Sequence, residues 1–386
     1  MLSLLDIVGQ DGAIWRLQQT LRANRMAHAL LFLGPDGVGR RTTAVAMAQV
    51  LLCEAPQTRA NAGRFKDLPE EFPLRLACGI CAGCRMLSRE AHPDLHVVRK
   101  ELARYHEDRD VRERLMQEFS IDVIRRFLIQ PASLTSARRR GKVFVVLEAE
   151  LLSIAAQNAL LKTLEEPPSG VTIILICRQS GELLPTTLSR CVTVNFRPLP
   201  RDFIRSGLLA EGVPEVQAAF WSAYADGSLG KAVRFARRGL YPTKREMVDR
   251  LAVLPADGDA DLAEYLRKVA DDLAATLLAE AKEADGADLS KNLASRQAAG
   301  ELLLMLASVY RDALTVATGA QRPLVHADQA EAVGSVARRF SATQLAEIIE
   351  QFSEYEQAIW RNASAGLVWD NAAITAACAL PLELEA

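Results

Sequence analysis

Between residues 29 and 196 the chain alternates short, continuous apolar runs with segments of helical spacing. The runs are ALLFLG (29–34), DLHVVR (94–99), KVFVVLE (142–148), VTIILIC (171–177) and VTVNF (192–196). A strand that is apolar throughout, rather than at every second position, must bury both faces. Such strands, separated by helices, assemble into a parallel sheet covered on both sides. Helical spacing is read at 42–53, 121–130 and 155–166, the last ended by Pro167 and Pro168. After about Pro198 the strands stop. Residues 199–240 read as a small helical unit, and 241–386 as Ala/Leu-rich helix broken at LPADGDAD and EADGADLSKN. The expected layout is therefore an α/β domain over 1–198, a helical unit over 199–240 and an all-helical domain over 241–386. Two stretches inside the first domain, 54–77 and 101–118, read as surface insertions.

Composition narrows the function classes. The chain has 386 residues, 49% of them hydrophobic and 24% charged, which suffices for ordinary cores. A net charge of -2 provides no general attraction to nucleic acid, so any such contact must be a local patch. The N-terminal segment lacks the pattern of a secretion leader, and no apolar run approaches the roughly 18 residues of a membrane span. A cytoplasmic protein is expected.

The segment FLGPDGVGRRTT (32–43) lies between the first strand and a helix, where a phosphate-binding loop belongs. Such loops read G-x-x-x-x-G-K-[ST]: backbone N–H groups and the helix N-terminus cradle phosphates, the lysine reaches the terminal phosphates, and the hydroxyl holds magnesium. Gly34 and Gly39 fill the glycine positions. Arg40 replaces the lysine and Arg41 the hydroxyl residue, with Thr42 one step late. An arginine at the hydroxyl position supplies no oxygen and adds positive charge beside the metal. The third strand carries the same loss: Leu147 stands where a magnesium aspartate belongs, followed by Glu148. Three readings remain open for the loop: a relic that does not hydrolyse, a site that binds nucleotide without turnover, and a plain glycine-rich turn.

Cys78, Cys81 and Cys84 form C-x2-C-x2-C, and Cys53 at the end of the preceding helix completes a set of four. Four thiolates suit a closed tetrahedral zinc site of structural type; an iron–sulfur cluster is the alternative. Cys177, Cys191 and Cys378 sit in apolar surroundings and read as packing residues. His92 and His96 flank the second strand and read as core or capping residues. SARRRGK (136–142) is the most basic short run; it reads either as a phosphate contact or as a solvated loop.

Several blocks in fixed order, IVGQ, HALLFLGPDGVGR, the cysteine cluster, HPDLHVV, NALLKTLEEPP and LLPTTLSRC, resemble the bacterial clamp-loader subunits of DNA polymerase III, which are AAA+ proteins. The resemblance spans about half the chain. It implies an AAA+ P-loop-type parallel sheet with a zinc module at 53–84, then a helical lid and an all-α collar. It also implies that Arg190, in the SRC block, is an arginine finger reaching ATP held by a neighbouring subunit. Motor members carry an arginine in a GS-x-R block; here GSLGKA (227–232) has Gly230 at that position. With Arg40, Arg41 and Leu147, these departures imply a member that does not itself hydrolyse ATP. Implied partners are the tau/gamma and delta subunits and, through the complex, the sliding clamp and primed DNA. Two other readings remain: an active ATPase using Arg40, and a zinc-dependent DNA-binding module on a dead nucleotide fold.

Overall fold

The structure is a computed structural model and describes residues 3–22, 27–65, 68–105, 119–255, 260–285, 289–361 and 363–378. These divide into two compact units, Met1–Pro200 with Gly227–Gly230, and Arg201–Asp226 with Lys231–Ala386. The helices at 201–226 thus fall with those from 241 onward.

The first unit is built on strands β1 (Ala29–Leu33), β4 (Leu95–Val98), β5 (Lys142–Val146), β6 (Val171–Cys177) and β7 (Val192–Asn195). They form one sheet in the order β4-β5-β6-β1-β7, every pair parallel. Ala29, Leu31, Phe144, Val146, Ile173 and Leu175 share one core, in which they meet Ile124, Leu128, Leu160 and Leu164. The alternate residues Leu30, Phe32, Val143, Val145, Ile174 and Ile176 point the other way and are buried as well. Burial on both faces is what the continuous apolar runs required.

Helix α1 (Asp11–Arg22) and helix α2 (Arg40–Leu52) precede a short helix α3 (Ala82–Ser88). Helix α4 is a composite: α-helical at Ile121–Ile124, π-helical at Arg125–Ile129 and α-helical again at Gln130–Ser133. Helical spacing at 121–130 foretold the helix but not the π turn, which changes hydrogen bonding without changing composition. Helices α5 (Ile154–Glu165) and α6 (Pro185–Leu188) complete the unit.

The stretch 54–77, read as a surface excursion, contains an antiparallel hairpin of β2 (Gln57–Ala60) and β3 (Pro73–Leu76). It is packed rather than free: Phe65, Leu74 and Leu76 are buried. Gln18 on α1 also exchanges two hydrogen bonds with the Arg75 backbone, at 2.7 and 3.0 Å. Alternation in PLRL was too short to register as a strand. Most of the second stretch, 106–118, lies outside the described residues.

The second unit is helical among its described residues: α7 (Arg201–Ala210), α8 (Glu215–Tyr224), α9 (Leu229–Arg237, mostly in this unit), α10 (Tyr241–Val253), α11 (Ala260–Asp285), α12 (Lys291–Ala317), α13 (Ala330–Arg339), α14 (Ala342–Trp360) and α15 (Ala365–Ala377). An aromatic cluster of Phe220, Trp221, Tyr224 and Phe235 binds its first helices, with neighbouring ring centroids 4.7–5.8 Å apart. Buried Lys244 donates to Asp328 at 2.6 Å and lies 4.2 Å from the Phe220 ring, so its charge is both paired and faced by π density. Arg238 bridges Glu280 and Glu301, each at 2.8 Å, tying α11 to α12. No described helix is long and apolar enough to cross a membrane.

Candidate functional site

The loop after β1 runs from Gly34 to Gly39 and leads into α2, with left-handed glycines at 34, 37 and 39 and charged side chains that pair beside it. Arg40 opens α2 but is buried, and its guanidinium turns back onto the Asp36 carboxylate. The other Asp36 oxygen is 3.2 Å from Arg178 Nε at the end of β6. Arg178 Nε also lies 2.9 Å from Glu150 Oε1. Four charged side chains, Arg40, Asp36, Arg178 and Glu150, therefore form one chain of ion pairs beside the loop. Acidic partners hold the Arg178 guanidinium above its usual range against the opposing effect of burial. Arg40 Nη1 and Glu150 Oε2 are buried without a hydrogen-bond partner.

The loop is also covered by backbone. Gly37 has φ 71°, and its carbonyl oxygen accepts from the Gly230 N–H at 3.2 Å. A Cβ on Gly37 would lie 2.2 Å from Ser228 Oγ, and one on Gly230 would lie 3.1 Å from Gly37 Cα. The GSLG segment therefore rests directly on the loop, at the position where motor subunits were expected to carry an arginine. Gly34 and Gly39 occupy the two ends of the loop. Arg41 and Thr42 are exposed; Thr43 is the buried hydroxyl, bonded to Gly39 O at 2.9 Å. Leu147 is partly buried, and Glu148 pairs with Lys100 at 3.3 Å. Sequence reading had singled out Arg40, Arg41, Thr42 and Glu148 but missed Asp36, Glu150 and Arg178. A charged residue directly after the apolar run VTIILIC was the available signal for Arg178.

Arg190 sits between α6 and β7 with its side chain 31% exposed. It donates to Glu165 Oε1 at 2.6 Å and to Thr186 O at 2.8 Å. Ser189 Oγ bonds Thr186 O at 3.1 Å, and Cys191 packs against the core of the sheet. The LEEPP and SRC blocks are thus joined by one surface ion pair.

The four cysteines converge. Cys53 follows α2, Cys81 caps α3, and the four sulfurs of Cys53, Cys78, Cys81 and Cys84 lie within 4.8 Å of one another, a group that could hold a metal ion. The distances Cys53–Cys81 and Cys78–Cys84 are both 4.0 Å. A tetrahedral ion with Zn–S bonds of about 2.3 Å places sulfurs about 3.8 Å apart, so the donor set and spacing fit. Backbone N–H groups point at the sulfurs: Cys78 N to Cys53 at 3.2 Å, Cys81 N to Cys78 and Cys84 N to Cys81 at 3.4 Å. Such donors, that of Ile80 foremost, pull the Cys78 thiol down to about 6, whereas burial pushes Cys53 and Cys84 up. His92 and His96 stand outside this group. His92 Nδ1 accepts from Asp94 N at 3.1 Å, and His96 stacks on Phe144 at 4.7 Å.

A family model described as DNA polymerase III, delta subunit, matches residues 9–200, and one for the C-terminal part of the delta subunit matches 270–365. The DNA polymerase III subunit delta' of Pseudomonas aeruginosa is 34% identical over 250 residues, 64% of this chain and 66% of that protein. The chain belongs to the DNA polymerase III delta-prime family. The parallel sheet and all-helical remainder are the fold expected of this AAA+ clamp-loader family. DNA polymerase III subunit tau of Salmonella typhimurium is 32% identical over 203 residues, 53% of this chain and 27% of that protein. The match thus spans just under two thirds of the delta-prime relative and about a quarter of tau. A solved DNA polymerase III, gamma subunit-related protein from Thermotoga maritima aligns with a TM-score of 0.39 at 17% identity, over 94% of this chain and 98% of that one.

Proposed function

We propose that this delta-prime family member serves the clamp loader without hydrolysing ATP, and that it lends Arg190 to an ATP site on a neighbouring tau/gamma-type subunit. The observation that carries this reading is the contrast between its two arginines. Arg40 is buried in an ion pair at the position of the phosphate-binding lysine. Arg190 stays at the surface, beside an exposed glutamate. With Leu147 at the metal-aspartate position and Arg41 at the hydroxyl position, neither loop offers magnesium an oxygen from those positions. A guanidinium delivered from outside stabilises the charge spread over a phosphoryl group in transfer, and such a finger contributes roughly a thousandfold or more in rate. In the proposed cycle, motor subunits bind ATP, and the assembly opens and closes the sliding clamp on primed DNA.

The test is Arg190→Ala in the reconstituted complex with tau/gamma, delta, clamp and primed DNA. Assembly should persist, while turnover at the neighbouring site falls roughly a thousandfold. An assembled mutant complex with normal ATPase sinks the finger. Magnesium-dependent ATP hydrolysis by this purified chain alone sinks the non-hydrolysing assignment.

The cysteine cluster is proposed as a structural zinc site. Four protein thiolates leave no open position for chemistry, so the metal's contribution is local order between α2 and α3. Metal analysis of the purified chain should find one zinc, and Cys81→Ser should lower that content and loosen the knuckle. Iron with sulfide in its place would refute the assignment.

A further inference from the structure

We propose that a basic cleft at the N-terminal ends of β1, β5 and β6 binds a phosphate group. The strands are parallel and adjacent, so residues entering them share one edge of the sheet. The Gly34–Thr42 loop leaves β1 at the opposite edge, which makes this a separate place. The cleft has a volume of about 370 Å³ and is lined by His28, Arg140, Lys142, Pro167, Ser169 and Gly170 among others, with no carboxylate in its lining.

The basic run ahead of β5 is held in a particular shape. Asp94, only 1% exposed, accepts from the backbone N–H groups of Ala137 and Arg138 at 2.7 and 3.0 Å. Arg138 is neutralised by Glu54. The next two arginines are treated differently: Arg139 and Arg140 are exposed and have no acidic partner among the described residues. Arg139 adopts φ 55°, a left-handed conformation uncommon for arginine and a mark of backbone held under constraint. Gly141 follows with φ 92°, and a Cβ there would lie 2.2 Å from Gly170 O. The arginine loop is therefore pressed onto Gly170, one of the residues that line the cleft.

The remaining donors suit an anion. Lys142 Nζ is bonded to a neutral carbonyl, Pro131 O at 2.6 Å, so its charge is not cancelled by a carboxylate. His28 Nε2 donates to Leu164 O, 2.7 Å away, so its N–H is already used and the ring is a wall of the cleft rather than a donor to the anion. The Ser169 hydroxyl adds a neutral donor to the lining. A planar guanidinium fork is matched to phosphate oxygens, and the shared chemistry is a phosphate mono- or diester. Its source is either a free phosphorylated molecule or a polynucleotide backbone. With a net charge of -2, the chain as a whole does not attract either, so recognition is local and weakens with salt.

The experiment titrates the full chain at low salt with inorganic phosphate, with pyrophosphate and with a short oligothymidylate, by calorimetry or NMR. Saturable binding is expected, weakened at least about tenfold in Arg140→Glu, with the variant's fold confirmed by its thermal melt. Charge-matched Lys268→Glu, in the other unit, should leave affinity unchanged. Binding of pyrophosphate identifies a free phosphorylated molecule as the source, and binding of the oligonucleotide alone identifies the backbone. No binding by any probe, equal weakening in Lys268→Glu, or loss in Arg40→Ala but not in Arg140→Glu overturns the proposal.

Discussion

Arg40 and Arg190 carry the same group within the same α/β unit, yet the fold treats them in opposite ways. Arg40 is enclosed at the start of α2 and shares Asp36 with Arg178. Arg190 hangs on a surface pair with Glu165, and that glutamate is itself 49% exposed. A buried, paired charge cannot leave its partner without a large desolvation penalty, whereas an exposed pair exchanges partners at little cost. One arginine is therefore committed to internal structure, and the other can exchange its partner. The lesson is that residue identity at a motif position does not say whether a charge is available; burial and partners do.

The comparison breaks most readily at stability. Arg40→Ala should destabilise the chain by about 2–3 kcal/mol, because it removes a buried stem and one side of a pair. Arg190→Ala should cost less than about 1 kcal/mol. Urea midpoints that fall equally would show that the two arginines are not held differently. A smaller effect sharpens the role of Asp36. Asp36→Asn leaves Arg40 without its anion and should lose about 1–2 kcal/mol, part of it recovered in millimolar inorganic phosphate. A melt indifferent to phosphate would mean that the loop no longer has room for an anion. The smallest effect is expected from Glu165→Gln: a few tenths of a kcal/mol in the isolated chain, and undiminished ATPase in the assembled complex. A steep fall in that ATPase would show that Glu165 positions Arg190 rather than merely parking it.

Much of the fold was legible because continuous apolar runs permit few arrangements. All five central strands lie where KVFVVLE and its counterparts predicted, β6 with the same ends and the other four trimmed by one or two residues. The cysteine set was legible for a different reason: short spacing leaves thiols little freedom to diverge, and Cys53 follows directly from α2. The hairpin at 57–76 was not legible, since its strands are four residues each and it is held by side chains distant in sequence, such as Gln18. The ion pairing beside the loop was also hidden. Asp36, Arg178 and Glu150 lie on three segments, and nothing in the spacing of one predicts the others.

The linear order of residues alone determined that a parallel sheet forms, that four thiols can meet and that Arg41 and Leu147 stand at the two motif positions, because each of these follows from local pattern or from residue identity. Only the folded chain decided which charges are spent. Ion pairing and burial depend on distances between segments far apart in sequence, and through them the fold sealed Arg40 against Asp36 and left Arg190 at the surface.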